Sequence, residues 1–341
     1  MNDDVLEGAA RWLEEGRRVA LATVVATWGS SPRPMGSQLA VDADGRFIGS
    51  VSGGCVEAAV VHEAAAVILA GSARLLQFAV GNESAWEVGL ACGGRVEIFV
   101  ERLQQGAWFD ALIDARRAGI ACVLATRLRD GAQCLLLPDR VEGDLELDSA
   151  ARERARDALR ADRSTVLEAA DGRIFCNVFA PPCRLIVVGA VHIAEPLIRM
   201  AAATGYAVVL IDPRQAFARR EGFAGVTVLG DWPDAALVAL APDARTAVVT
   251  LTHDPKLDDP ALQVALASGA FYIGCLGSRK THAARLGRLR RAGLAEDALA
   301  RVHGPVGLAI GAQTPAEIAI SILAEITRVR RLGEHRPASV E

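Results

Sequence analysis

Lysine is nearly missing from this chain. Of its 37 basic residues only Lys256 and Lys280 are lysine, and 35 are arginine. Arginine abundance is therefore a compositional bias, and a lysine placed against it marks a compact cation suited to phosphate or to a polar substrate. Long apolar runs are missing too. Stretches such as Val19 to Ala26 are too short and too interrupted to cross a bilayer, and the opening Asn2-Asp3-Asp4 lacks the basic-then-apolar pattern of an export signal. The chain reads as soluble and cytoplasmic, with no membrane partner. No Cys-x-x-Cys pair occurs among the seven cysteines, at 55, 92, 122, 134, 176, 183 and 275. That odd, scattered set argues against structural zinc and against a disulfide framework. Positive charge is also lacking: a net charge of −4 leaves no basic field for nucleic acid, which is not an expected partner.

What is present is core material. With 341 residues, 51% hydrophobic and 23% charged, the chain is long enough for two compact domains. The first is read over 1–180, with its motifs in 18–103 and a middle segment in 104–180. An amphipathic helix over Val5 to Glu15 leads into a strand from Arg18 to Thr27 and then the irregular loop Trp28-Gly-Ser-Ser-Pro-Arg-Pro-Met-Gly36. Asp42-Ala-Asp-Gly45 reads as a hairpin turn between strands at 38–41 and 47–51. The hairpin delivers Ser52-Gly53-Gly54-Cys55-Val56-Glu57 to a helix running to about Leu69. A strand at 73–80, a polar loop, Ala91-Cys92-Gly93-Gly94 and a strand at 95–102 follow. The middle segment predicts a helix, two strands around Gly131, a helix at 150–161 and two strands joined by Asp171-Gly172. Ala180-Pro-Pro182 is the expected junction.

Beyond it, over 183–333, short apolar strands alternate with helices. Strands are predicted at 184–189, 207–212, 225–229, 246–252 and 271–276, with helices at 193–204, 215–221, 233–241 and 259–268. Such alternation predicts a parallel doubly wound sheet. The fold class is thus α/β: an N-terminal mixed α/β domain followed by a C-terminal Rossmann-like sheet. Thr314-Pro315-Ala316-Glu317 signposts the last helix with a cap, a first-turn proline and a capping-box glutamate.

In an open parallel sheet the ligand lies beyond the carboxyl ends of the strands. The loops to inspect are therefore Gly189 to His192, Asp212-Pro-Arg214, Thr250 to Lys256 and Gly274 to Lys280. The turn Gly189-Ala-Val191-His192-Ile-Ala194 is a dinucleotide fingerprint with valine at its second glycine, which narrows the room for a pyrophosphate. Asp212 lies near the offset of a ribose-binding acid, although an aspartate ending a strand before proline is almost as good a reading. Gly277, Ser278, Arg279 and Lys280 put amides and two cations at a helix start, a place that favours an anion, against an equal case for a solvated helix end. His253 and His192 are acid-base candidates, although a single loop histidine more often only donates hydrogen bonds. No triad or metal-ligand spacing is legible. In the first domain Cys55 and Cys92 each abut a Gly-Gly pair, and Cys55 precedes a helix, a position that lowers thiol pKa. The competing reading, two small buried hydrophobes, holds for most cysteines. Arg33, held between prolines, is a candidate anion contact.

The Trp28–Gly36 loop, Ser52-Gly-Gly-Cys-Val-Glu57, Cys92-Gly-Gly94 and a Rossmann segment with Asp212-Pro-Arg214 together closely resemble the xanthine dehydrogenase accessory protein (XdhC/CoxI) family. The resemblance spans about residues 5 to 330. It implies an accessory protein rather than an enzyme. Such a protein binds molybdenum cofactor, as molybdopterin or its dinucleotide, protects it, supports its sulfuration with a cysteine desulfurase, and delivers it to an apo molybdenum hydroxylase of xanthine dehydrogenase type. Cofactor-synthesis proteins and a second copy in a homodimer are the other implied partners. Residue by residue, the resemblance puts Cys55, with Cys92 nearby, at the molybdenum or its sulfur. Arg33, Asp212, Arg279 and Lys280 hold the pterin phosphate or nucleotide, and Ser31, Gly53, Gly54, Glu57, Gly93, Gly189, His192, Arg214, His253, Gly277 and Ser278 are the other expected cofactor-binding residues. Much of the family shows Gly-x-Gly-His at the first Rossmann turn, and this chain departs at Val191. The alternative is an NAD(P)-dependent oxidoreductase using Asp212 for ribose and His253 or His192 as the acid; a third reading is a scaffold whose Rossmann domain only mediates contacts.

Overall fold

The structure is a computed structural model that describes residues 5–29, 33–54, 56–79, 94–214, 223 and 225–333. Two compact units divide between Pro181 and Pro182.

The first unit holds two antiparallel five-stranded sheets. β1 (Val19–Trp28), β2 (Gln38–Asp42), β3 (Phe47–Gly49), β4 (Arg74–Ala79) and β5 (Arg95–Leu103) pair in the order β3-β2-β1-β5-β4. β6 (Cys122–Arg127), β7 (Gln133–Leu136), β8 (Val141–Gly143), β9 (Thr165–Ala169) and β10 (Gly172–Phe179) pair in the order β8-β7-β6-β10-β9. The period-two alternation of β1 explains the layering. Ala20, Ala22 and Val24 face the helix α2 (Glu57–Ala70), whose Val60, Ala64 and Val67 share their apolar cluster. Val19 and Leu21 face the opposite way, toward α1 (Val5–Glu14) and α3 (Ala107–Arg117). Val25, on the same face as Val19 and Leu21, joins Phe99, Leu128 and Phe175 between the two sheets, and the register slips between Val24 and Ala26, a bulge. α4 (Ser149–Arg160), capped by Asp148, covers the other face of the second sheet with Ala151 and Ala155. Cys122, Cys134, Cys176 and, in the second unit, Cys183 and Cys275 are all buried. Burial pushes the thiols of Cys122 and Cys134 up to about 11 and that of Cys176 to about 12, so they are inert packing groups.

The middle segment is thus a complete sheet of its own. β8, three residues long, is the strand that the sequence pattern does not announce.

The second unit is a six-stranded sheet in which every pairing is parallel: β11 (Arg184–Val188), β12 (Ala207–Ile211), β13 (Thr227–Leu229), β14 (Thr246–Thr250), β15 (Tyr272–Cys275) and β16 (Val302–His303), in the order β13-β12-β11-β14-β15-β16. Leu185 and Val187 pack under α5 (Ala194–Ala203) and the C-terminal helix α10 (Pro315–Leu332), whose capping box is formed as expected. Ile186 and Val188 pack on the other face under α6 (Pro233–Leu240), α7 (Pro255–Ala267) and α8 (Arg279–Arg291). Both faces are covered, as buried parallel strands require. α9 (Glu296–Leu299) and β16 complete the edge. α7 begins at Pro255, four residues before the sequence expectation, because Asp254 caps it by accepting from the Lys256 amide at 2.9 Å, and Pro260 lies inside the helix. The helix expected at 215–221 lies outside the described residues.

The backbone constraint at the first crossover is strict. Gly189 has φ +107°, and a Cβ there would lie 2.6 Å from Cγ2 of Thr252. Gly189→Ala is expected to lower unfolding stability by about 1–3 kcal/mol, measured by chemical denaturation; parent-like stability would show that the turn relaxes freely.

Candidate functional site

The antiparallel register brings the strand ends that flank the N-terminal motifs to one side of the first sheet. Trp28, ending β1, pairs with Arg95, starting β5, and Arg95 stacks over the Trp28 ring at 4.2 Å. Gln38, starting β2, pairs with Thr23, while Leu39 pairs with Gly49, ending β3. The loop after Trp28, the loop after Gly49 and the residues leading through Gly94 into β5 therefore leave from neighbouring strand ends. Cys55, Ser31, Cys92 and Gly93 lie outside the described residues.

Glu57 organises the loop between β3 and α2. Its Oε1 accepts from the Ser50 hydroxyl at 2.7 Å and from the amides of Val51, Ser52 and Gly53 at 3.2, 2.9 and 3.1 Å. Its Oε2 accepts from Gly54 N at 2.8 Å and from the Ser52 hydroxyl. Gly53 and Gly54, at φ +81° and +123°, turn their amides inward to reach it. Burial alone would raise the Glu57 pKa; hydrogen bonds from Ser52 and Ser50 outweigh it and hold the carboxyl at about 2. Glu57 is spent on the loop, which makes it a positioning residue for whatever the loop presents.

Arg33 and Ser50 line one polar cavity of about 520 Å³ in the first unit, together with Gln38, Arg116 and Asn177. Gly36 holds the Arg33 loop against β10: at φ +87°, a Cβ there would lie 2.7 Å from Asn177 Oδ1. Two arginines and several amide and hydroxyl groups suit an anionic, hydrogen-bonding ligand.

In the second unit the strand order reverses between β11 and β14, and the predicted residues sit at carboxyl ends on both sides of that switch point. Asp212 is fully buried. Its Oδ2 accepts from Ala190 N at 2.7 Å and from Arg214 Nη2 at 2.8 Å, and its Oδ1 accepts from the Arg214 amide and Nε, each at 2.9 Å. Burial pushes its pKa up, and the bonds from Arg214 and Ala190 more than offset this. Asp212 therefore ties the Gly189 turn to Arg214. Val191 is half-buried against the apolar cluster, and His192 is exposed. His253 has φ +59° in a turn closed by Thr252 Oγ1, which accepts from Asp254 N at 3.1 Å. Ser278 caps α8 by accepting from Thr281 N at 3.1 Å, and Gly277 at φ +146° leads into it. Arg279 and Lys280 are exposed in the first turn.

Beneath these loops lies a polar network that spacing does not reveal, because its members are far apart in sequence. Thr252 Oγ1 donates to Asp258 at 2.6 Å, and Arg285 Nη2 reaches Asp258 at 3.3 Å and the Leu276 carbonyl at 3.0 Å. Arg285 Nη1 lies 3.0 Å from Cys275 Sγ. Burial raises the Asp258 pKa and pushes the Cys275 thiol up to about 12, despite Arg285. Among the described residues no group of three or more His, Cys, Asp or Glu side chains is arranged to hold a metal ion. No helix of the described residues is long and apolar enough to cross a membrane.

The folded-state pKa of Glu57 lies below its ordinary 4.5, so its contribution to stability is present above about 4.5 and is lost as pH falls toward about 2. Glu57→Gln is expected to cost about 1–3 kcal/mol at pH 7. The gap from the parent should shrink across that acid range in denaturation curves, and a gap independent of pH would contradict the assignment.

Residues 12–79 match the family model described as the XdhC and CoxI family, and residues 185–326 match the XdhC Rossmann domain. The chain is 30% identical over 328 residues to Molybdenum cofactor insertion chaperone PaoD of Escherichia coli (strain K12), covering 96% of this chain and 88% of that protein. It is 28% identical to a probable xanthine dehydrogenase subunit of Bacillus subtilis (strain 168), covering 94% of this chain and 95% of that protein. A crystal structure of a xanthine dehydrogenase from Bacillus halodurans shares the fold, with TM-score 0.77 at 24% identity over 97% of each chain. Two family matches on separate units and full-length relatives give one conclusion: the chain belongs to the XdhC and CoxI family.

Proposed function

We propose that this protein is an accessory carrier of molybdenum cofactor. It takes the cofactor as cargo, shields it, supports its sulfuration by a cysteine desulfurase and passes it to an apo molybdenum hydroxylase of xanthine dehydrogenase type. The observation that carries this reading is the convergence of the Arg33 loop and the Glu57-locked Ser50–Gly54 loop at one end of the first sheet, beside a polar cavity with Arg33 and Ser50 in its wall. Cargo of this kind carries phosphate, for which guanidinium groups are matched donors, and a metal held by sulfur, for which a thiol is a matched neighbour. Cys55 follows Gly54 directly in sequence and is the thiol assigned to that role. Within the second unit, taken by itself, Arg214, Gly277, Ser278, Arg279 and Lys280 are assigned to binding a phosphate or nucleotide. Turnover is not part of this role, and the protein acts in the cytoplasm as a homodimer.

The six-strand order of the second unit also suits a nicotinamide dinucleotide, which keeps an NAD(P)-dependent oxidoreductase as the second reading. Against it stands Asp212, whose two oxygens are already engaged by Ala190 and Arg214; a ribose hydroxyl would have to displace Arg214.

Purification after expression with molybdate, with bound molybdenum and pterin quantified beside an NADH titration, separates the two. Molybdenum and pterin in equal amount are expected, whereas stoichiometric nicotinamide without pterin would overturn the carrier role. Arg33→Ala is expected to retain no more than about a tenth of the parent's pterin, the loss of one charge-assisted contact. Retention by Cys55→Ala at the parent's level would remove the thiol from the site.

A further inference from the structure

A second cavity of the first unit, about 290 Å³ in volume, opens where the end of β5 meets β7 and the start of α3. Glu101 and Gln133 form its polar wall, with Trp108 beside them. Glu101 is 9% exposed, and its Oε1 accepts from Gln133 Nε2 at 2.9 Å, while Gln133 Nε2 also reaches Thr126 Oγ1 at 3.0 Å. Among the described residues Oε2 has no such bond. That oxygen is open to the cavity, and because burial favours the neutral form of the carboxyl, its acid proton can meet an acceptor there.

We propose that this cavity recognises an amino-substituted nitrogen heterocycle, a ring with an acceptor nitrogen beside an amino group. The neutral acid is complementary to that edge. Its O–H donates to the ring nitrogen, the carbonyl oxygen accepts from the amino group, and Gln133 keeps the carboxyl oriented. The volume suits a fragment-sized ring rather than a whole cofactor, and Trp108 offers an aromatic wall. A divalent cation does not fit, because a protonated acid is a poor ligand for it. The pterin of the cargo and the cytosine of a cytidine-extended form both present this edge, so the proposal rests on the carrier reading and adds a base-recognition site to it.

Burial raises the Glu101 pKa to about 8, with the Gln133 bond acting against it. The other charged groups lining the cavity are Arg102, Asp130 and Asp144, and the hydrogen bond from Arg127 holds Asp130 at about 2, ionised throughout the range of interest. Heterocycle binding is therefore present below about pH 8 and is lost as pH rises through that value.

Calorimetry on the full chain tests this with pterin against lumazine, which carries oxygen in place of the amino group, and with cytidine monophosphate against uridine monophosphate. At least about tenfold preference for the amino-bearing member of one pair is expected; which pair shows it names the source. Glu101→Gln keeps a donor and an acceptor, so it should bind within a few-fold of the parent and lose the fall above pH 8. Glu101→Met should abolish binding. Absence of preference in both pairs, or Glu101→Gln retaining the parent's pH profile, overturns the proposal, and the latter readout stands even if Glu101→Met fails to fold. Heterocycle binding by the parent without cargo capture would sink the carrier role and leave the pocket; cargo capture by the parent with no amino preference in either pair would sink the pocket and leave the carrier role.

Discussion

A glycine-rich loop between a strand and a helix has no ladder to satisfy its amides, and here one carboxylate collects them. Glu57 accepts from four successive amides, Val51 to Gly54, and from two serine hydroxyls. Charged acceptors make the stronger hydrogen bonds, so the loop closes on its own helix and the end of the first sheet acquires a fixed shape. That closure sets the Ser50 wall of the Arg33 cavity and the start of α2.

The same device recurs in the second unit. Asp212 fixes the Gly189 turn to Arg214, and buried Glu325 ties the edge of the sheet to α10. Its Oε2 accepts from Tyr272 at 2.7 Å and from Gly307 N at 2.8 Å, and His303 lies 3.4 Å from Oε1. Burial would raise the Glu325 pKa, and His303 and Tyr272 outweigh it to hold it at about 2. These carboxylates serve the frame.

Much of this was legible in the chain. The alternation from Leu185 to Cys275 specified the parallel sheet because both faces of it are apolar, and Thr314 with Glu317 announced α10 through local chemistry alone. The Ser52–Glu57 motif stood out in the chain as a candidate site, but the direction of Glu57 was not legible, since a carboxylate facing a ligand and one facing its own loop have the same spelling. Asp212 raises the same ambiguity. β8 and β16 are too short to show a period, and the start of α7 was masked by Pro260, which looks like a first-turn proline. The pairing of Asp258 with Arg285 and that of Glu101 with Gln133 are tertiary contacts across 27 and 32 residues, which no local pattern encodes.

The lengths of the outermost strands have a bearing on how the molecule meets other proteins. β4 and β9 end one side of their sheets with six and five residues, but β3 and β8 end the other side with three each, and β13 and β16 end the third sheet with three and two. Edges that short offer little open ladder to another chain. At those sides an incompletely folded partner finds almost no template for strand addition, so association there must be read from side chains and shape, and can be reversed without unzipping a sheet.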